Sequence, residues 1–302
     1  MSTLKLPAFE YLEPASVDEA VELLAEGGES ARVLAGGIDL IPGMRAGSVR
    51  ASRLVSIQHL KELNFIRAEA DGSFEIGAMA SLHALERSAS LASRFPALHE
   101  AIRQVTSVQT KYMGTAVGNL CVGTPASDLG PAFAVLDAEV IIASRKGVRR
   151  TAMNEFYSAY RRTALQQGEL VTAVRVPPGP RGRGAAFLNL LRTHADIAKV
   201  TVSAAVSIEK GICRGVRIAL GSVAPTMYRA RTAEALLEGK AVTGQALEAA
   251  GRASLQEAAP IDDVRSTAEY RRDVSQVLVR RALMKAAERS AQLSGEPLPA
   301  LK

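Results

Sequence analysis

The stretch MGTAVGNLCVGTPASDLGP, residues 113–131, decides how the rest of the chain is interpreted. It holds four glycines, two prolines and one carboxylate, and its apolar residues follow neither a helical nor a strand period. A second glycine-rich stretch, RVLAGGIDLIPG, occupies residues 32–43. Glycine lets the backbone approach a ligand, and successive amides in such turns form a concave anion site. The pair predicts a site for the two phosphates of a dinucleotide, with two tight turns that bind nothing as the alternative.

The second stretch also carries polar side chains suited to a ligand. Thr115 and Ser127 offer hydroxyls, Asn119 an amide and Asp128 a carboxylate. A carboxylate beside hydroxyls suits a polyol such as a ribityl chain. Alternatively, Ser127 and Asp128 begin a helix at LGPAFAVLDA, because such residues are favoured at the N-cap. The two roles are compatible.

Outside these stretches, the patterns predict a mixture of helices and strands. Ser16 followed by Glu19 is typical of a capping box, and Ser81 predicts a second helix start. The segment PPGPRGRG, residues 177–184, is the best candidate for a linker. Strand-like segments with a turn at Lys210–Gly211 follow it, and three helical segments come last. The order predicts an α+β amino-terminal domain and a smaller domain of sheet and helices.

Composition argues against several classes of protein. Of 302 residues only 4% are aromatic and none is Trp, which disfavours base stacking with nucleic acids. The cysteines Cys121 and Cys213 lie far apart and the four histidines are scattered, so a metal or iron–sulfur site within the chain is not expected. No secretory pattern or long apolar run is present, and a cytoplasmic location is expected.

The net charge of +6 is mild, but some arginines occur in pairs. Solvated faces are the simple interpretation, and an acidic partner or an anionic ligand is the alternative. The paired arginines considered as partner contacts are Arg149, Arg150, Arg161, Arg162, Arg271 and Arg272.

The two glycine-rich stretches resemble the two flavin motifs of the medium, FAD-binding subunit of molybdenum hydroxylases, the family of xanthine dehydrogenase and carbon monoxide dehydrogenase. Segments IGAMASLHALE, FLNLLRTHADIAKV and YRRDVSQVLVRRAL resemble further family segments in the family's order, over nearly the whole chain. The resemblance implies a PCMH-type (vanillyl-alcohol-oxidase-like) FAD-binding domain over residues 1–177, a linker over 178–184 and a CO-dehydrogenase flavoprotein carboxy-terminal domain over 185–302.

The resemblance also implies contacts with FAD. The turn from Leu34 to Leu40 would wrap the pyrophosphate, and residues of the second stretch would hold the phosphate, ribityl and ribose groups. Gly77 and Ala78 would line the cleft, and Leu170 would lie near the isoalloxazine or adenine ring. The complete set of implied cofactor contacts is Leu34, Ala35, Gly36, Gly37, Ile38, Asp39, Leu40, Gly77, Ala78, Gly114, Thr115, Val117, Gly118, Asn119, Ser127, Asp128 and Leu170.

Three residues depart from the family pattern. Ile38 stands where a small hydroxyl residue is common, and one hydrogen bond would be lost. Val117 replaces a glycine, and a β-branched residue disfavours positive φ in a turn. Asn189 stands where a lysine is common, which removes a positive charge and would change the redox poise of the flavin.

By resemblance, this chain is an electron-transfer subunit with no catalytic side chain of its own. A small partner with two [2Fe–2S] clusters would pass electrons to its FAD, a large partner would hold the molybdenum–pterin cofactor, and an external acceptor would take the electrons. A dimer of heterotrimers is expected. The alternatives are a stand-alone flavin oxidase of the vanillyl-alcohol-oxidase type and a scaffold that has lost FAD. His194 and Asp196 mark a surface turn or, alternatively, lie near the flavin.

Overall fold

The computed structural model describes residues 5–105, 107–193 and 196–298 of the chain. Short strands and helices alternate in the first part, and one sheet followed by helices makes up the second. This order confirms the predicted α+β class. Across the described ranges, no helix combines the length and apolar character needed to cross a membrane.

The chain opens with a small parallel sheet of three strands, the third lying between the first and the second. Its strands and flanking helices are β1 (Glu10–Leu12), α1 (Val17–Gly27), β2 (Ala31–Leu34), α2 (Leu40–Arg45) and β3 (Arg53–Ser56). The predicted start of α1 is confirmed, because Ser16 Oγ accepts the Glu19 amide at 3.1 Å. The Glu19 carboxylate in turn accepts the Ala15 amide at 2.7 Å. The first glycine-rich stretch therefore leaves the end of β2 and enters α2.

An antiparallel five-stranded sheet forms the main core. Its strands are β4 (Ile66–Ala68), β5 (Phe74–Gly77), β6 (Glu139–Ser144), β7 (Gly147–Ala152) and β10 (Leu170–Val176), in the order β4-β5-β10-β6-β7. The hairpin of β8 (Tyr157–Ala159) and β9 (Arg162–Thr163) lies between β7 and β10 in the chain. Phe74, Ile76 and Val174 are fully buried and anchor this core.

Six short helices connect β5 to β6 and carry the second glycine-rich stretch. They are α3 (Leu82–Glu86), α4 (Ala89–Arg94), α5 (Pro96–Gln104), α6 (Val108–Met113), α7 (Ala116–Cys121) and α8 (Leu129–Val135). The predicted cap at Ser81 is confirmed, because its Oγ accepts the Ala84 amide at 3.1 Å. Every residue of α8 is buried, so this helix fixes the carboxyl end of the stretch inside the protein.

An antiparallel sheet and three helices complete the fold. The strands are β11 (Arg183–Leu190), β12 (Val200–Glu209), β13 (Ile212–Gly221) and β14 (Tyr228–Arg229), and the helices are α9 (Arg231–Leu237), α10 (Gly244–Ala253) and α11 (Ala268–Ser294). Helix α11 packs on β11 and β12, while α5 and α8 pack against the same sheet from the amino-terminal part. The predicted turn at Lys210–Gly211 is confirmed by positive φ angles of 50° and 74°. Strand β11 begins inside the predicted linker; the division into domains stays a prediction.

Glu100 on α5 ties the two parts of the chain together. Its carboxylate accepts the Phe187 amide at 3.1 Å, the Lys285 ammonium at 2.7 Å and the Arg289 guanidinium at 2.5 Å. Burial raises the pKa of Glu100, but the bonds from Arg289 and Lys285 outweigh it and hold the pKa below its usual value. A charged Glu100 therefore stabilises the packing of α5 on β11 and α11.

Two of the paired arginines are structural and do not form a free basic face. Arg271 is buried, donates to the carbonyl oxygens of Lys199 and Ser222, and pairs with Asp263 at 2.8 Å. Arg149 makes two hydrogen bonds of 2.6 Å to the Glu169 carboxylate. Arg271 is therefore not a partner contact, because it is buried, whereas a partner contact at the partly exposed Arg149 stays a prediction.

Candidate functional site

The two glycine-rich stretches meet backbone to backbone. A Cβ added to Gly36 would lie 1.8 Å from the carbonyl oxygen of Met113 and 3.1 Å from the α-carbon of Gly114. No side chain fits at that contact, so glycine is required at position 36 for close approach. The pairing explains why one chain carries two such stretches: together they form one structural unit.

The first turn presents a run of amides without acceptors. Within the described residues, no atom accepts a hydrogen bond from the amides of Ala35, Gly36, Gly37 or Ile38. Gly37 has a φ of 70°, and the Ala35 carbonyl is held by the Gln58 amide nitrogen at 2.7 Å. Since backbone amides that lack partners are rare away from water, this run is chemically ready to hold an anion.

The second stretch contains a helix that the sequence pattern did not predict. Helix α7 begins at Ala116, where Thr115 Oγ1 accepts the Gly118 amide at 2.9 Å. The amide of Val117 donates to no acceptor in the described part of the chain, whereas that of Ala116 belongs to the bridge between Ser81 and Thr115. The start of α7 follows Met113 and Gly114, which contact Gly36, so the Val117 amide adds one donor near the same region.

Helix α7 also explains how the fold accepts Val117, which replaces a glycine of the family pattern. Val117 lies inside this helix with its side chain in the main core, and its φ is not positive. The expected conflict between a β-branched residue and a left-handed turn is therefore wrong, because the backbone at this position is helical. Gly118 is helical too, and an added Cβ there would meet only Thr115 Oγ1, at 2.9 Å.

Asn119 and Ser127 bind each other across the stretch. Ser127 Oγ donates to Asn119 Oδ1 at 2.6 Å and accepts the Gly130 amide at 3.1 Å. Ser127 therefore caps the start of α8, as one of the two interpretations predicted. Its role as a ligand contact stays a prediction.

Asp128 does not cap α8 and keeps a carboxyl oxygen without a partner. Its Oδ1 is buried and accepts no hydrogen bond from the described residues. Burial raises the pKa of Asp128 to about 7, and the Asn189 side chain, which lies within reach of a hydrogen bond to this carboxyl group, opposes that rise. Asn189 Nδ2 is also buried and lacks a partner within the described ranges. A buried acceptor and a buried donor without partners, side by side, fit a ligand that carries hydroxyl or amide groups.

Ile38 and Asp39 form the outer edge of the first turn. The Ile38 side chain is 38% exposed and would lie 3.8 Å from a Cβ on Gly114. Burial raises the pKa of Asp39, and the nearby Arg161 guanidinium lowers it. The β8–β9 hairpin brings Arg161 there, where its amide donates to the Gly123 carbonyl at 3.0 Å. The sequence around Arg161 and Arg162 does not indicate that Arg161 lies near Asp39, because the hairpin comes from a distant part of the chain.

The remaining predicted residues have structural roles in this fold. A Cβ on Gly77 would lie 2.2 Å from the Leu63 carbonyl oxygen, so the end of β5 needs glycine for packing. Ala78 and Leu170 are buried in the main core. Leu34 belongs to a smaller hydrophobic cluster with Met44, and Leu40 packs against that cluster. Their contacts with FAD stay predictions. His194 lies outside the described residues, and Asp196 pairs with Arg192 at 3.2 Å.

Two protein families match the chain. Residues 7–179 match the FAD binding domain in molybdopterin dehydrogenase. Residues 185–286 match the CO dehydrogenase flavoprotein C-terminal domain. The first match ends within the proline- and glycine-rich segment at residues 177–184 and includes both glycine-rich stretches, and the second match begins directly after that segment.

Curated relatives and solved structures agree with these matches. The chain is 35% identical to the carbon monoxide dehydrogenase medium chain of Afipia carboxidovorans, over 94% of this chain and 98% of the relative. It is 33% identical to subunit alpha of the 6-hydroxypseudooxynicotine dehydrogenase complex of Paenarthrobacter nicotinovorans, over 95% and 97% of the two chains. A chain of carbon monoxide dehydrogenase from Hydrogenophaga pseudoflava superposes with a TM-score of 0.91 at 34% identity, over 94% of this chain and 99% of that one.

Proposed function

This chain belongs to the FAD-binding medium subunits of the molybdenum hydroxylase family, and we propose that it relays electrons between its partners and an external acceptor. The resemblance inferred from the two glycine-rich stretches is confirmed, and so is the FAD-binding fold with its CO-dehydrogenase flavoprotein domain. FAD is the cofactor of this family, and the chain is an oxidoreductase subunit.

The observation that carries the proposal is the run of donors where the two stretches meet. The amides of Ala35 to Ile38 offer hydrogen bonds to the FAD pyrophosphate, and the Val117 amide at the start of α7 extends the same surface. Asp128, with its unpartnered oxygen, accepts from a hydroxyl of the ribityl chain or ribose. Asn189 beside it donates to another polar atom of the cofactor. The residues present therefore fit FAD.

Bound FAD supplies two-electron and one-electron redox chemistry, which is the cofactor's own. The chain's residues bind and orient it. In the described part of the chain, no group of three or more His, Cys, Asp or Glu side chains is placed to hold a metal ion. We therefore assign the [2Fe–2S] clusters and the molybdenum–pterin cofactor to partner subunits, as the family resemblance implies.

The names of the relatives support a subunit that does not touch the oxidised substrate. One relative belongs to a carbon monoxide dehydrogenase and another to a 6-hydroxypseudooxynicotine dehydrogenase complex. Both match nearly the whole chain at similar identity, although the substrates in their names differ greatly in size and chemistry. A shared relay with substrate recognition on another chain accounts for this pattern. We propose a small iron–sulfur partner and a large molybdenum partner, assembled as a dimer of heterotrimers.

The test is to purify the chain with whatever binds it in its host and to measure the flavin spectrum, metal content and subunit masses. We expect about one FAD per chain, two partners, and reduction of FAD by substrate only when the cluster-bearing partner is present. A folded chain that takes up no FAD would support the scaffold alternative. A metal-free chain that oxidised an organic substrate alone, at the rate of the complex, would support the stand-alone oxidase.

A further inference from the structure

A cleft of about 670 Å³ lies where the proline- and glycine-rich segment passes between the two parts of the chain. Its walls come from residues 177–184, from the junction of α4 and α5, and from the last turns of α11. The volume falls within the range of about 300–1,000 Å³ that is typical of small-molecule sites. None of the predicted FAD contacts lines this cleft.

The lining is strongly basic. Arg94, Arg181, Arg183 and Arg289 line the cleft, and no Asp or Glu is among its lining residues. Helix α5 begins at Pro96 in the cleft wall and has no side-chain cap, so its amino-terminal partial charge adds to the positive potential.

Two of these four arginines are neutralised from behind, because Arg289 pairs with Glu100 at 2.5 Å and Arg183 pairs with Asp137. Arg183 pairs through Nη2 with Asp137 at 2.9 Å, but its Nε is buried and meets no acceptor among the described residues. Its side chain is only 9% exposed, so this donor is held in place inside the wall. Arg94 donates to the Gly72 carbonyl at 2.5 Å. Within the described ranges, neither Arg94 nor Arg181 has a carboxylate within ion-pair distance.

The rest of the lining is mostly apolar. Prolines of the linker, together with Phe95, Leu136 and Leu293, are among the lining residues of the cleft. Flat apolar surfaces beside guanidinium groups suit a molecule that joins an anionic group to an aromatic ring. An inorganic ion would use the arginines and leave these surfaces uncovered.

We propose that this cleft binds an organic polyphosphate of nucleotide size, with its phosphates on the exposed Arg94 and Arg181 and its ring on the proline-rich wall. The site is separate from the candidate FAD site. Arg183 and Asn189 stand near opposite ends of β11, six steps or about 20 Å apart at ~3.3 Å per residue. The same strand therefore connects the two sites and carries a residue of each.

The test is calorimetric titration of the full chain, saturated with FAD so that the cofactor site cannot accept the probe. The probes are ATP, inorganic tripolyphosphate and adenosine. We expect ATP to bind, tripolyphosphate to bind at least about tenfold more weakly because it misses the apolar wall, and adenosine to show no heat. ATP binding should also weaken as salt is raised.

The test variants replace the two arginines of the cleft that are exposed. Arg94 and Arg181 are exposed, so the double variant R94Q/R181Q should fold, and we expect it to bind ATP at least about tenfold more weakly. The matched control is R252Q, which removes an exposed arginine on α10 and should leave ATP affinity unchanged. No ATP binding to the FAD-saturated chain, equal affinity in R94Q/R181Q and the parent, or tripolyphosphate as tight as ATP would each overturn the proposal. Binding of a glutamate-rich peptide in place of ATP would overturn it in favour of a protein partner.

Discussion

Asp128 and Asn189 lie side by side, each with a buried polar atom that has no partner among the described residues. Asp128 comes from the second glycine-rich stretch and Asn189 from β11, so their contact joins the two parts of the chain at the candidate site. Burial raises the pKa of Asp128 to about 7. Because the folded pKa is raised above the usual value of 3.8, ionisation of Asp128 costs stability as the pH rises from about 4 to about 7.

FAD binding should therefore depend on pH. A charged carboxylate accepts from a hydroxyl more strongly than a protonated one, so FAD affinity should rise between pH 5.5 and about 7 and then level off. Binding below pH 7 should release a proton, which calorimetry in buffers of different ionisation enthalpy measures. In Asp128→Asn the affinity should be lower and independent of pH over this range. A parent protein whose affinity does not change with pH would contradict the role of Asp128.

Asn189→Lys should also remove the pH dependence of FAD affinity, through a change in the pKa of Asp128. An ammonium beside Asp128 favours the charged carboxylate and should lower its pKa below the neutral range. FAD affinity should then be constant from pH 5.5 to pH 8, measured by quenching of flavin fluorescence. Asn189→Leu is the control, because it adds no charge and should keep the pKa of Asp128 high. An unchanged pH profile in Asn189→Lys would show that the two side chains do not interact.

Gly36→Ala should separate the two glycine-rich stretches. The new methyl would lie 1.8 Å from the Met113 carbonyl oxygen, so the backbone must move and the run of amides loses its alignment. We expect FAD affinity to fall by more than about tenfold, or about 1.4 kcal/mol, in an equilibrium titration. Gly179→Ala is the matched control, because its φ is ordinary and an added Cβ would find no atom closer than 3.4 Å. Equal loss in both variants would point to general destabilisation.

Val117→Gly restores the residue common in the family, yet it should lower the free energy of unfolding. Val117 is buried in α7, so the change removes core packing and places glycine in a helix. We expect a loss of about 2 kcal/mol in the free energy of unfolding, measured with urea, and little change in FAD affinity once the variant is folded. Tighter FAD binding in Val117→Gly would mean that the valine side chain obstructs the cofactor.

Glu100→Gln should destabilise the packing of α5 on β11 and α11. The carboxylate meets two cations and a backbone amide while only 24% exposed, so removing its charge should cost about 2–3 kcal/mol of unfolding free energy. Glu248→Gln, in an exposed pair with Arg252, is the control and should cost less than about 0.5 kcal/mol. Since the pKa of Glu100 is lowered in the fold, its contribution is present above the usual value of 4.5 and is lost as the pH falls through the lowered pKa. A stability difference between the parent and Glu100→Gln that stayed constant from neutral to acid pH would contradict this.

Features of the fold that depend on local chemistry could be predicted from the sequence. The helix starts at Ser16 and Ser81 and the turn at Lys210–Gly211 each depend on residues within one turn of the chain. Helix α7 could not be predicted this way, because its residues have no apolar period and it is held by the Thr115 cap and by burial of Val117 and Leu120. The burial of Arg271 also escaped prediction, since its acceptors Lys199 and Ser222 lie far away in the sequence.

The contact of Gly36 with Met113 has a consequence for how the protein acquires its cofactor. The two residues are separated by roughly 80 positions, and closing a loop of that length costs about 4 kcal/mol of chain entropy. Contacts so distant in sequence form late in folding, after the intervening strands and helices have been made. We therefore expect the amides proposed to bind FAD to come together only after the intervening strands and helices, and FAD to bind the assembled domain instead of guiding its early folding. FAD that binds only the assembled domain would then stabilise the native state by mass action.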